Sequence, residues 1–170
     1  RLFDQVLVSV GRRPNSEGLG LDKTRVEIDD HGFIQVDAQL CTAEPTIRAI
    51  GDVVGQPMLA HKASHEGRTA VESIAGHKVG FEPQAIPAVV FTDPEIAWAG
   101  LTEEAAERKQ IPTKIGRFPL AALGRARTLG RIEGHVKVIA AKDSDLVLGV
   151  GIVAPHASEM IAEATLAIEM

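Results

Sequence analysis

The sequence holds a single cysteine, Cys41, among its 170 residues, so no disulfide can form within the chain. This scarcity fits a reducing compartment. No apolar run approaches the roughly 20 residues that a membrane-spanning helix needs, and the first residues carry no signal-peptide pattern. We therefore expect a soluble protein of the bacterial cytoplasm or the mitochondrial matrix.

A strong charge of either sign is also missing. The net charge of -5 is spread along the chain, and no basic cluster offers a surface to nucleic acid or to an anionic membrane. The absence of internal repeats and low-complexity segments excludes a solenoid and a disordered linker. The His, Cys and acidic residues show no metal-ligand spacing, so no metal site is predicted.

What is present is an ordinary globular composition, whose 45% apolar residues suffice for one domain or for parts of two. Residues 3–10, FDQVLVSV, are typical of a strand buried on both faces of a parallel sheet. Such a strand needs neighbours reached through long crossovers, and none precede it. A helix predicted after His156 meets no stop signal before Met170. We expect the chain to begin inside a domain and to end inside an element.

The first half of the chain alternates turns with short apolar segments. After a turn at 11–15, residues 25–36 suggest a hairpin around DDHG, and residues 46–50 a second short strand. Residues 60–75 predict a helix that ends before Gly76, with a small-residue face able to pack closely on a sheet. That face consists of Ala63, Gly67, Ala70, Val71 and Ile74.

The pattern changes near residues 81–83, Phe-Glu-Pro, where we predict the domain junction. Beyond it, predicted strands at 88–91 and 96–99 flank a turn, and Thr102 is placed to cap a helix. Residues 136–139 and 146–153 predict a hairpin. The fold class is therefore α/β in the first part, followed by an α+β region with an antiparallel sheet and helices on one face.

The most informative segment is 46–67, TIRAIGDVVGQPMLAHKASHEG, where a short strand ends in Gly-Asp and a helix begins several residues later. In α/β folds, ligands bind at the carboxyl ends of such strands. Gly51 lets a ligand approach the backbone, and Asp52 can accept a hydrogen bond from a sugar or polyol hydroxyl. A lone Gly-Asp is more often a turn in which the Asp bonds its own backbone. The dipeptide alone leaves both interpretations open.

The surrounding residues favour the ligand site. IGD, followed by MLAHKA and EG, closely resembles the second flavin-binding motif of the pyridine nucleotide-disulfide oxidoreductases. The resemblance implies that Asp52 binds a ribityl hydroxyl of FAD and that the next segment meets the pyrimidine side of the flavin. A helix N-terminus there would favour negative charge on the ring. The implied cofactor-binding residues are Gly51, Asp52, Met58, Leu59, Ala60 and His61.

The turn GRRPN at 11–15 resembles the family's return from the NAD-binding to the FAD-binding domain, which implies that Gly11 approaches the dinucleotide. Arg12 and Arg13 are equally well explained as solvated turn residues, and neither is assigned to the site.

Residues 86–103 and 134–170 resemble the family's interface domain. Trp98, the segment 118–126 and the ending AIEM indicate its lipoamide branch. Leu120 and Leu123 depart from the tryptophan and serine that this branch often carries.

No catalytic residue is predicted within the chain. His156 and Glu159 could mimic a His-Glu acid–base pair, but the resemblance places the family's catalytic His-Pro and Glu beyond Met170. Cys41 lacks the partner at the spacing that the family's redox pair requires, and is interpreted as a small, partly buried residue. His61 contributes its backbone by analogy.

The resemblance implies that residues 1–13 close the NAD-binding domain, 14–80 form the last part of the FAD-binding domain, and 84–170 form most of an interface (dimerisation) domain. The implied activity is oxidation of protein-bound dihydrolipoamide, with electrons passing through a dithiol to FAD and then to NAD. The implied enzyme is a homodimer that serves the lipoyl domains of 2-oxo acid dehydrogenase complexes.

Two alternatives stay open. The parent could be another disulfide or mercuric reductase of the family, with NADP in place of NAD, or the chain could be a non-catalytic dimerisation fragment. Because the sequence has no GxGxxG turn for the FAD pyrophosphate, we expect the chain by itself to bind FAD weakly and to be inactive.

Overall fold

The computed structural model describes residues 2–170, which fold as two compact units. The first ends at Glu82, and the second comprises Pro83–Met170. The division falls at the change of sequence pattern around residues 81–83.

The first residues of the chain are exposed and have no regular secondary structure, so the strand predicted at 3–10 is wrong. Phe3, Val6, Leu7 and Val8 all expose most of their surface. A strand of this type is stabilised only by backbone hydrogen bonds to neighbouring strands. Within residues 2–170 no segment pairs with it, so its apolar sequence has nothing to pack into.

The rest of the first unit contains two isolated antiparallel bridges instead of a sheet. The predicted hairpin at 25–36 is confirmed in a reduced form, as a single antiparallel bridge between Ile28 and Ile34. The strand predicted at 46–50 is wrong, because the segment makes only one bridge, between Cys41 and Arg48. Backbone bonds from Thr42 to Ile47 and from Ala49 to Leu40 close this loop on itself rather than on a sheet.

Among the described residues of this unit there is one α-helix, and it is the predicted one: α1 spans Ala60–Ile74. Gly76 follows in the left-handed conformation expected after a helix end. The predicted apolar face is only partly correct, since Val71 and Ile74 are exposed. The buried side runs instead through Lys62, Glu66 and Ala70, one helical turn apart.

The second unit is built on a five-stranded antiparallel sheet with strand order β1-β2-β5-β4-β3. The strands are β1 (Ala88–Val90), β2 (Glu95–Gly100), β3 (Thr113–Pro119), β4 (His135–Ala141) and β5 (Val147–Ala154). The helices are α2 (Glu103–Arg108), α3 (Gly124–Thr128) and α4 (Ala157–Glu169). The antiparallel sheet and the hairpin formed by β4 and β5 are as predicted.

Alternation along β2 shows how the core forms. Ala97 and Ala99 are buried, whereas Ile96 and Trp98 on the opposite face remain partly exposed. The small alanines let α4 pack closely across β2 and β5, with Ile161 in the same buried cluster as Ile152. Burial of such apolar side chains is the main stabilising contribution to this unit.

Helix α2 begins as predicted, because the Thr102 hydroxyl accepts a hydrogen bond from the Ala105 backbone N–H at 3.1 Å. Glu103 in its first turn bonds Arg117 of β3 and Lys137 of β4. The pKa of Glu103 is lowered by the hydrogen bond from Lys137 and by the charges of both cations.

Glu95 stabilises the start of α4, and this contribution should depend on pH. Its carboxylate accepts the Ser158 backbone N–H at 2.8 Å, and this bond lowers its pKa from the ordinary value of 4.5. A lowered pKa means that the stabilisation is complete above about pH 5 and is lost as the pH falls through the folded-state value.

Replacing Glu95 with glutamine should therefore lower the urea midpoint at pH 7 and flatten its decline toward about pH 3. Trp98, the only tryptophan, reports this transition by fluorescence. The control is Glu163→Gln, an exposed change on α4. It should keep the wild-type dependence of the urea midpoint on pH. Parallel slopes for wild type and Glu95→Gln would contradict the assignment.

Candidate functional site

Gly51 starts the turn at the centre of the predicted site. It opens a short 3-10 helix, Gly51–Val53, and is buried with a φ of +81°. A Cβ atom at this position would lie 3.3 Å from the Cβ of Ala63 in α1. The left-handed backbone favours glycine here, and the close approach to α1 leaves little room for a side chain.

Asp52 follows with its side chain 52% exposed. The nearest cation is Arg12, whose Nη1 lies 3.9 Å from Asp52 Oδ2, too far for a hydrogen bond. An exposed carboxylate of this kind can accept hydrogen bonds from hydroxyl groups of a ligand. The position thus fits the chemistry expected from the sequence.

The residues that follow lead into the N-terminus of α1. Met58 is buried, and Leu59 occupies the N-cap in an extended conformation with φ -133°. A leucine side chain cannot cap the first N–H groups of a helix, so the positive end of α1 receives no anionic side chain from this position. Ala60 and His61 are exposed on its first turn. This helix end can favour a nearby negative charge.

Gly11 is exposed, with a φ of +83° and open space where a Cβ atom would stand. The turn predicted at 11–15 is wrong, because the segment has no regular structure and the first turn of this region lies at residues 17 and 18. Arg12, the neighbour of Gly11, donates a hydrogen bond from Nη1 to the Met58 carbonyl at 2.8 Å. The structure thus brings Arg12 to the segment before α1. This contact could not be predicted from the sequence, because its partners lie 46 residues apart.

Arg12 also borders a surface cavity of about 640 Å³ in the first unit. Arg13, Asp30, Gly32 and Gln56 contribute to its wall. The cavity carries charges of both signs, so its lining alone does not select an anionic or a cationic ligand.

A buried ion pair lies directly behind Gly51, and sequence reasoning missed it. Lys62 and Glu66 of α1 are joined at 2.7 Å, with side-chain exposures of only 5% and 3%. The Glu66 carboxylate accepts the Gly51 N–H at 2.6 Å. Charged residues four apart on a helix usually form solvated pairs; the small neighbours Ala63 and Gly67 were the available sign that this face is covered.

The remaining sequence candidates stay apart from this site. Cys41 is partly buried, as predicted, with its thiol 3.9 Å from the Gln39 carbonyl. His156 has a left-handed backbone at the N-cap of α4, and its carbonyl accepts the N–H of Glu159. Among residues 2–170, no group of three His, Cys, Asp or Glu residues is placed to hold a metal ion. Over the same range, no helix has the length and apolar character to cross a membrane.

Two family models cover most of the sequence. The model described as pyridine nucleotide-disulphide oxidoreductase, dimerisation domain, matches residues 86–170, which is half of the chain. The model described as pyridine nucleotide-disulphide oxidoreductase matches residues 2–67.

Two curated relatives show how far the similarity extends. A dihydrolipoyl dehydrogenase of Thermus scotoductus is 53% identical over 169 residues, covering 99% of this chain and 36% of that protein. A mitochondrial dihydrolipoyl dehydrogenase of Caenorhabditis elegans is 51% identical over 166 residues, covering 98% of this chain and 34% of that protein. The chain therefore spans about a third of the length of the relatives it matches.

Solved structures also match nearly the whole chain. LpdA of Mycobacterium tuberculosis superposes with a TM-score of 0.87 at 30% identity, over 94% of this chain and 35% of that one. The HOCl-induced flavoprotein disulfide reductase RclA of Escherichia coli has a TM-score of 0.85 at 25% identity, over 94% of this chain and 37% of that one. The chain belongs to the pyridine nucleotide-disulfide oxidoreductase family.

Proposed function

We propose that this chain is part of a flavin-dependent enzyme that oxidises protein-bound dihydrolipoamide and passes the electrons to NAD. The observation that carries the proposal is the 53% and 51% identity, over nearly the whole chain, to proteins named dihydrolipoyl dehydrogenase. The matched region includes Asp52 and the start of α1, because it covers 98–99% of the chain.

Within this proposal, residues 1–13 belong to the NAD-binding domain, 14–80 to the FAD-binding domain, and 84–170 to the interface domain. The division of the structure at residues 82 and 83 supports the second boundary. The dimerisation model over residues 86–170 supports the assignment of the second unit.

The residues of the first unit fit a flavin, as the exposed Asp52 carboxylate and the α1 N-terminus, which receives no side-chain cap from Leu59, indicate. FAD, when bound, supplies the electron transfer between the dithiol and NAD. Asp52 would accept a hydrogen bond from a ribityl hydroxyl, and the backbone from Met58 to His61 would meet the ring. The α1 dipole would stabilise negative charge there. Gly11 would leave space for the dinucleotide.

The proposed assembly is a homodimer whose partners are the lipoyl domains of 2-oxo acid dehydrogenase complexes. The dimerisation model over the second unit supports the homodimer. We place the protein in the bacterial cytoplasm or the mitochondrial matrix, since its relatives include bacterial proteins and one named as mitochondrial.

Another disulfide reductase of the family is the second candidate. It is favoured by the TM-score of 0.85 to a flavoprotein disulfide reductase. The full-length protein assayed with dihydrolipoamide, glutathione disulfide and mercuric ion, each with NAD(H) and NADP(H), distinguishes the two. Turnover confined to dihydrolipoamide and NAD supports the first proposal, and its absence with activity on another substrate supports the second.

The assignment of Asp52 has its own test in the full-length protein. Asp52→Ala should raise the dissociation constant for FAD about ten- to hundredfold, because it removes a hydrogen bond to a charged acceptor. Titration of the apoprotein with FAD, followed by flavin fluorescence, measures this change. Asp22→Ala, an exposed change in the same unit, is the control. Unchanged FAD affinity in Asp52→Ala would remove Asp52 from the site.

A further inference from the structure

The buried ion pair of α1 holds the turn that carries Asp52. Glu66 uses one carboxylate oxygen for the Gly51 N–H, at 2.6 Å, and the other for Lys62 Nζ, at 2.7 Å. Lys62 Nζ in turn donates to the carbonyls of Gly51 and Gly55, each at 3.4 Å. The pair therefore ties both ends of the 51–55 segment to one side of α1.

A buried ion pair is an unfavourable way to gain stability alone. Removing two charges from water is opposed by desolvation, and apolar residues of similar volume often stabilise a core at least as well as a buried pair. Apolar side chains, however, could not satisfy the Gly51 N–H or direct the two carbonyls. What the pair supplies beyond packing is a fixed orientation of the peptide before Asp52.

The geometry of the turn leaves little freedom once these bonds form. Gly51 is bonded through both its N–H and its carbonyl, and a Cβ atom on it would lie 3.3 Å from the Cβ of Ala63. The Val54 N–H bonds the Gly51 carbonyl as well, at 3.1 Å. Asp52 is the next residue, and its side chain is exposed. The direction in which its carboxylate projects is thus set from behind by Lys62 and Glu66.

We propose that Lys62 and Glu66 are positioning residues that orient Asp52 for the ribityl chain of FAD. The inference rests on the proposed flavin site. Neither side chain would contact the cofactor, since both are buried on the α1 side of the turn. Their effect would pass through the backbone of the turn.

The test uses the full-length protein and compares FAD binding among variants. Glu66→Leu should raise the dissociation constant for FAD about tenfold and change the visible circular dichroism of bound flavin, because the Gly51 N–H loses its acceptor. Glu66→Gln retains an oxygen for that N–H and should recover most of the affinity. Should Glu66→Leu not fold, Lys62→Met/Glu66→Gln replaces it, with an expected loss of about threefold or more.

A destabilising control variant separates a loss of orientation from a general loss of stability. Leu40→Ala removes buried apolar volume from the same unit and should destabilise it without changing FAD affinity or the dichroism. Equal losses of affinity in Leu40→Ala and Glu66→Leu would overturn the inference, and so would wild-type affinity in Glu66→Leu and in the double variant.

Asp52→Ala, measured in parallel, tells the two failures apart. Weak FAD binding in Asp52→Ala with normal binding in the Glu66 variants rejects the positioning role alone. Normal FAD binding in both rejects the proposed flavin contact of Asp52 and the positioning role with it. Weak binding in both, with the dichroism change and recovery in Glu66→Gln, supports the inference.

Discussion

Replacing Gly149 with alanine is expected to lower the free energy of unfolding of the second unit by about 3 kcal/mol or more. Gly149 of β5 lies opposite Gly100 of β2 in the sheet. A Cβ atom on Gly149 would lie 2.0 Å from the Leu101 carbonyl oxygen. Because this neighbour is backbone, no side-chain rotation relieves the clash.

The surrounding structure cannot yield easily. The Leu101 N–H donates to the Leu148 carbonyl at 2.7 Å, which fixes the crossing of the two strands. Gly100 has a φ of +73°, and a Cβ there would lie 2.4 Å from the Leu148 oxygen. Because the two glycines face each other, the backbones of β2 and β5 are in close contact here. Neither strand can move away without breaking the β2–β5 pairing that supports α4.

Gly151→Ala is the matched control for this prediction. It lies two residues further along β5, on the same face of the strand, and has open space where a Cβ would stand. Its effect should stay within about 0.5 kcal/mol. Urea unfolding followed by far-ultraviolet circular dichroism and by Trp98 fluorescence compares the two. Similar losses for both variants would show that the strands do not approach as closely as the structure indicates.

The elements that the sequence predicted correctly are those whose signals are local. The α1 and α4 helices and the β4–β5 hairpin each carry their own periodicity, turn or cap within a few residues. The strand predicted at 3–10 failed for the opposite reason, because a strand exists only through its partners. The apolar composition of the segment indicated that it could be buried, but nothing among residues 2–170 pairs with it.

Strand β3 shows a further limit of predicting strands from the sequence pattern. Six of its seven residues are exposed, so its sequence lacks the alternation that reveals a half-buried strand. It forms because β4 offers a free edge, with Ile115 opposite Ile139 and Phe118 opposite Val136. No pattern within β3 itself announces that pairing.

The candidate site divides in the same way. Gly51 and Asp52 stand in a contiguous motif, so they can be proposed from the sequence alone. Arg12 reaches Met58 only through the tertiary fold. Lys62 and Glu66 have the spacing of an ordinary surface pair, and only the packing of α1 against the Gly51 turn shows that they are buried. Burial of charge is a property of the fold that charge spacing does not reveal.

The energetic consequence of that burial is the second large effect we expect. Lys62→Met should cost about 3–5 kcal/mol of the first unit's stability, because it leaves the Glu66 carboxylate buried without its cation. The Gly51 N–H still bonds that carboxylate, but one neutral donor does not compensate an unpaired charge. Methionine approximates the shape of the lysine stem, so loss of packing contributes little.

Adding Glu66→Gln to Lys62→Met should recover a large part of this loss. The neutral amide oxygen can still accept the Gly51 N–H, and no unpaired charge remains. Arg25→Met provides the surface comparison in the same unit: it breaks the Arg25–Glu44 pair, whose side chains are 69% and 21% exposed, and should cost at most about 1 kcal/mol. Urea unfolding followed by circular dichroism at 222 nm measures all three variants.

If Lys62→Met costs no more stability than Arg25→Met, or if the double variant is less stable than Lys62→Met, the pair is not the closely coupled, desolvated unit seen behind Gly51. Recovery of stability in the double variant would instead show that the loss in Lys62→Met comes from the unpaired, buried charge of Glu66. An ion pair that is desolvated in this way can hold the Gly51 turn in one orientation.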